Sequence, residues 1–244
     1  MKLKKAIKYN LAVTSKSLII FYSVIAAVYI FLAILFTLLD GVQGSSSMEI
    51  AALIFLFSLG VTFFSEYFKM YLQNGISRKT MFIGVGVSLL ICAAIMGLLD
   101  TLTGLFLSKA GILTPLTRML YAERIAGMSV VQSTIEVFFL NVMLYFFLAV
   151  LGYCIGIIFS KLSRLMRIVL PVGFMLLFTV VVLVDLNLTN GSILSAIGNF
   201  FMFISGFQNG GNINYLTVSC LCFSVIVFGV SWLMIRRVTV NESK

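Results

Sequence analysis

Long apolar runs alternate with short polar stretches along the whole chain. A helix that crosses a membrane needs about 20 apolar residues. Six runs fit that pattern: residues 18–39, 48–68, 80–107, 134–159, 168–186 and 215–235. Between them lie a polar turn over 40–47, a polar stretch over 69–79 and a mixed segment over 108–133. A basic loop over 160–167 and a Gly/Asn-rich stretch over 187–214 with an apolar centre follow. The apolar runs are continuous rather than alternating, and the chain has only two prolines, which predicts helices and not barrel strands. The expected fold is an all-α membrane protein with six transmembrane helices, forming a single transmembrane domain over 1–244.

The first 16 residues carry a second pattern. At 100° per residue, Leu3, Ala6, Ile7, Leu11 and Val13 share one arc, and Lys2, Lys4, Lys5, Lys8 and Lys16 lie opposite. This predicts an amphipathic interfacial helix over 1–17, lying on an anionic leaflet ahead of the first span. The first apolar run is as long as a membrane span and no small-residue cleavage site follows it, so it is expected to be retained.

Charge orders the spans. Lys2, Lys4, Lys5, Lys8, Lys16, Lys69, Arg78, Lys79, Lys161, Arg164, Arg167, Arg236, Arg237 and Lys244 all fall on one side of a six-span topology. Only Lys109, Arg118 and Arg124 fall on the other. The positive-inside rule then predicts an even number of spans with both termini cytoplasmic. Most acids fall on the outer side: Asp40, Glu49, Asp100, Glu123, Glu136 and Asp185. Asp100, Glu136 and Asp185 sit near outer helix ends, where they either reach the headgroup layer or line an outer polar vestibule.

Composition agrees with lipid as the solvent. Of the residues, 61% are apolar and 10% charged, against about a quarter charged in soluble domains. The net charge of +9 is spread in clusters between the spans, which argues against a nucleic-acid partner. Cys92, Cys154, Cys220 and Cys222 lie inside apolar runs without metal-ligand spacing and read as small packed residues. There is no histidine, which removes Ser-His dyads and HExxH zinc sites. No phosphate-binding GxxxxGK[ST] loop occurs, so the chain is expected to be no enzyme, with no catalytic residue, bound cofactor or metal of its own. The pattern Gly152-x-x-x-Gly156 predicts close helix approach, within one chain or across an oligomer interface.

One segment carries more specific information. Glu66 stands near the end of the second run, followed by Gln73-Asn74-Gly75-Ile76-Ser77-Arg78-Lys79. Asn74-Gly75 is a turn signal, and Ser77 reads as the N-cap of the next helix. Arg78 and Lys79 in that helix's first turn oppose its dipole, so either the membrane topology or a contact with a partner is expected to account for them. The segment resembles ABC-2 type permeases of bacterial exporters, in particular the short permeases of Gram-positive bacteria. There an acidic residue near the cytosolic end of span two leads into a Gly-x-Ser-Arg-Lys loop.

The resemblance implies a coupling helix between spans two and three that docks onto a separate ATPase subunit. Glu66, Gln73, Asn74, Gly75, Ser77, Arg78 and Lys79 would form the docking segment, and the basic first helix would be the family's elbow. It implies a bacterial plasma-membrane exporter built from two permease chains, identical or diverged, and two ATPase chains, with ATP and Mg on the ATPase partner. Residues 193–207, apolar and ahead of the last span, would be a re-entrant stretch. The substrate class stays open among lipids, drugs and peptides. A secondary transporter or channel, which would show repeated halves around a midplane charge, and a non-transporting immunity or accessory protein are the competing readings.

Overall fold

The computed structural model describes residues 2–38, 44–46, 48–111, 113–188 and 191–236. Its elements follow in order: α1 (Lys2–Leu38), β1 (Gly44–Ser46), α2 (Met48–Gln73), α3 (Arg78–Lys109), β2 (Leu113–Pro115), α4 (Leu116–Leu120), α5 (Ala122–Ala126), α6 (Val130–Lys161), α7 (Arg164–Leu188), α8 (Ser192–Ile204) and α9 (Ile213–Arg236). A single 3-10 turn, Phe207–Asn209, precedes α9. Among the described residues, the regular structure apart from the three-residue strands β1 and β2 is all helical.

Among the described residues, five segments are long and apolar enough to cross a membrane: Leu3–Leu32, Arg78–Lys109, Val130–Lys161, Met166–Asn187 and Ile213–Arg236. The chain is therefore a multi-pass membrane protein. Where residues 48–68 predict a span, α2 forms a 26-residue helix whose apolar portion is Glu49–Phe64.

The separate interfacial helix expected over 1–17 is not found. α1 runs unbroken for 37 residues, about 55 Å at 1.5 Å per residue. No Gly or Pro interrupts Lys2–Leu38, and the basic segment is held against the bundle rather than laid aside. Ala6, Asn10 and Thr14 form its buried edge. Asn10 donates to Ser88 Oγ at 3.1 Å and accepts from the Tyr71 hydroxyl, which joins α1 to α3 and α2. Buried polar groups at helix contacts in lipid are held by such bonds because no water can replace them.

The core sits on α6, which packs against α2, α3 and α9. The approach to α2 is closest. A Cβ on Gly152 would collide with the Phe57 carbonyl oxygen, and one on Gly60 with that of Ala149. The small-residue pattern in α6 thus serves packing inside one chain. Around it, Leu56, Phe63, Leu89, Met96, Tyr145 and Tyr153 are buried. Phe82 stacks on Phe228 with ring centroids 4.0 Å apart, which seats α9 on α3.

The helix ends segregate by charge. Arg78, Lys161 and Arg236 come together at one end of the bundle, where Tyr71 also meets Ala6 in the lysine-rich start of α1. At the opposite end β1 pairs with β2 in parallel, Gly44 opposite Leu113 and Ser46 opposite Pro115. Glu49 accepts two bonds from Thr117 there, from the backbone N–H at 2.9 Å and the hydroxyl at 2.5 Å.

α7 stands apart. Its main packing partner is α8, and Leu165, Phe174, Met175, Leu177 and Leu183 are all exposed. An apolar helix exposed all round belongs in lipid. α8 has 13 residues, about 20 Å, too short for a hydrocarbon core of about 30 Å.

Candidate functional site

The segment singled out by sequence forms a tight helix–turn–helix at the basic end. No separate helix lies between α2 and α3, contrary to the coupling helix expected there. α2 simply continues to Gln73 and stops in a Schellman motif. Gly75 takes φ 65°, Ile76 N–H donates to the Tyr71 carbonyl at 3.0 Å, and Asn74 N–H donates to the Met70 carbonyl at 3.1 Å. Only glycine adopts that left-handed position without strain. The Asn74 side-chain amide also donates to the Met70 carbonyl, at 2.9 Å.

Ser77 restarts the chain as the N-cap of α3. Its hydroxyl accepts from Thr80 N–H at 3.2 Å, which satisfies one of the free donors at a helix start. Tyr71 and Met81 are buried beneath the turn, and Ile76 packs on the same core. Gln73, Asn74, Gly75, Ser77 and Lys79 are exposed around it. The structure therefore brings Gln73 to Lys79 together on one rigid surface. The Glu66 side chain lies outside the described residues.

Arg78 has a partner that sequence reasoning did not supply. Its Nη1 donates to the Arg236 carbonyl at 3.1 Å, and Lys161 Nζ donates to the Met234 carbonyl at 3.3 Å. Two cations from different helices thus satisfy the last carbonyls of α9, which lack intrahelical donors. The unfavourable position of Arg78 at its own helix start is offset by this contact with the negative end of another helix.

Each of the three outer acids, Asp100, Glu136 and Asp185, has its own partners. Asp100 lies nine residues before the end of α3, deeper than its expected place near a span end. Its Oδ1 accepts from the Tyr22 hydroxyl at 3.0 Å and its Oδ2 from the Tyr145 hydroxyl at 2.5 Å. One carboxylate thereby joins α1, α3 and α6. Beside it, Asn141 donates to Thr101 Oγ1 at 3.2 Å, a second tie between α6 and α3. Tyr22, Tyr145 and Asn141 carry no sequence signal beyond being polar atoms in apolar runs.

Glu136 pairs with Arg124 at 3.3 Å near the start of α6. Asp185 is 1% exposed and holds the start of α8, accepting from Ile193 N–H at 3.0 Å and Leu194 N–H at 2.8 Å. The other end of α8 is tied to Tyr121, whose hydroxyl donates to the Ser205 carbonyl at 2.9 Å and whose ring stacks on Phe207. Burial pushes the Tyr121 phenol up to about 12, so it keeps its donor proton at neutral pH. Both ends of α8 therefore lie at the end of the bundle away from the basic cluster, and the segment 193–207 bridges from α7 towards α9.

Among the described residues no group of three or more Cys, Asp or Glu side chains is placed to hold a metal. No family model, curated protein or solved structure matches the chain.

Proposed function

We propose that this chain is the membrane-spanning permease subunit of an ATP-driven exporter, working with a separate ATPase that holds ATP and Mg. One observation carries the reading. The exposed surface from Gln73 to Lys79 is fixed by a Schellman motif on one side and a serine cap on the other, directly over buried Tyr71 and Met81. A push on that turn is transmitted to α2 and α3 together, and through α2 to α6. Coupling between subunits needs such a rigid element. The charge distribution supports a topology in which this end faces the cytoplasm, with six spans and α2 as the second. A second permease chain would complete the translocation path.

The test is affinity purification of the full chain from its host in mild detergent, with identification of co-purifying proteins. A stoichiometric ATPase bearing phosphate-loop motifs is the expected result. A folded chain that purifies without any ATPase would overturn the proposal.

One observation favours a second reading. An ionisable group inside a membrane bundle marks an ion or proton pathway in many transporters, and Asp100 is held between three helices. A secondary transporter would move substrate in vesicles on an ion gradient without ATP.

A further inference from the structure

We propose that the cleft where α6 and α9 end binds the headgroup and adjoining acyl chains of an anionic phospholipid. The cleft has a volume of about 610 Å³ and is lined by Lys161, Val230, Leu233, Met234 and Arg236. Its chemistry is divided. Two cations mark it, and the remaining residues offer an apolar wall along the last two turns of α9.

A free inorganic anion would use the cations and leave the wall unmatched. A zwitterionic lipid would use the wall and bring its own cation near Lys161 and Arg236. An anionic phospholipid satisfies both, because basic pockets between helices at a membrane boundary attract such headgroups. The ends of α9 and α6 would by themselves repel an anion. At α9 the Met234 and Arg236 carbonyls already accept from Lys161 and Arg78. The Arg236 guanidinium makes no hydrogen bond or ion pair with a described residue, and Lys161 keeps further N–H donors on its ammonium.

The chain supplies its own probe. Trp232, its only tryptophan, lies on the same stretch of α9 and packs on Phe82 with ring centroids 5.1 Å apart. The purified full chain is reconstituted in vesicles of phosphatidylcholine, and brominated phosphatidylglycerol or brominated phosphatidylcholine is added while Trp232 fluorescence is read. No ATPase is present, so the outcome is independent of the exporter reading.

Half-quenching is expected at a mole fraction of brominated phosphatidylglycerol at least tenfold below that of the brominated phosphatidylcholine. Each cation near a membrane surface contributes about fivefold. Arg236→Gln is expected to lose about fivefold of the preference, and the pair Lys161→Gln with Arg236→Gln nearly all of it. Lys109→Gln, at the far end of α3, is expected to keep it. Equal quenching by the two lipids in the native chain would overturn the site. So would a full preference in the Arg236→Gln chain, or an equal loss in the Lys109→Gln chain.

Discussion

Arg78 and Arg236, 158 residues apart, meet at the basic end of the bundle, where the guanidinium of the first donates to the carbonyl of the second. The start of α3 thereby holds the finish of α9. Arg78 is a structural clasp as well as part of the exposed turn, whereas its neighbour Lys79 is exposed and its side chain makes no hydrogen bond or ion pair with a described residue.

The two residues can therefore be separated by substitution. Lys79→Glu is expected to leave thermal stability within about 0.5 kcal/mol while reducing co-purification of an ATPase. Arg78→Gln is expected to cost about 1 kcal/mol through the lost charge-assisted bond. Unfolding midpoints and co-purification, measured on both variants, check this. ATPase capture that is unchanged in Lys79→Glu would argue against docking at this turn.

Asp100 is expected to behave as the hub of a three-helix network. Tyr145→Phe leaves Oδ2 without its donor and is expected to cost about 1–2 kcal/mol, with Tyr22→Phe costing less because its bond is longer. In an Asp100→Ala background the Tyr145→Phe change is expected to become nearly neutral. Denaturant unfolding of the four chains of this double-mutant cycle measures the coupling. Additive losses would mean that the tyrosine stabilises the bundle by some other contact.

Asp185 is expected to govern α8 locally. Asp185→Ala removes both acceptors at the helix start and is expected to raise amide exchange across Ser192–Ile204, in line with a cap worth about 0.5–2 kcal/mol. Asp185→Asn, which keeps one carboxamide oxygen, is expected to lie between. Exchange in α2 and α6 should not change. Protection that stays native in α8 of the alanine variant would contradict the capping role.

At the α2–α6 contact, Gly152→Leu is expected to destabilise the protein by more than about 3 kcal/mol, since the backbone of Phe57 cannot yield as a side chain would. Gly173→Leu on exposed α7, where an added Cβ meets nothing, is the matched control and is expected to be tolerated. Yield of folded chain by size exclusion, with unfolding midpoints, compares the two. Equal tolerance would place the close approach elsewhere.

Most of the helical architecture was legible as lengths of apolar sequence. The turn at Asn74–Ser77 was legible too, because Gly75 and Ser77 each do what their chemistry favours at a helix stop and start. The separate basic helix was misread because a wheel registers polarity but not what packs on it: Asn10 and Thr14 lie on the buried edge of α1, and Asn10 meets Ser88. The partners of the outer acids were not legible for a related reason. A carboxylate near a span end looks free until Tyr22, Tyr145 or the N–H groups of Ile193 and Leu194 are brought to it by the fold. The pairing of β1 with β2 has no local signal, since three-residue strands lack a period to read.

That pairing has a mechanical consequence. The link after α1 and the link after α3 are laced together at Gly44–Ser46 and Leu113–Pro115 and bolted down by Glu49 on Thr117. At that end, the first three long helices and α6 form a stiff block in which no one helix can tilt without dragging the others. The arm made of α7 and α8 shares none of this lacing. It is held by Asp185 at its elbow and by Tyr121 at its tip. Displacement is therefore resisted least in that arm, which packs on few other elements of the fold.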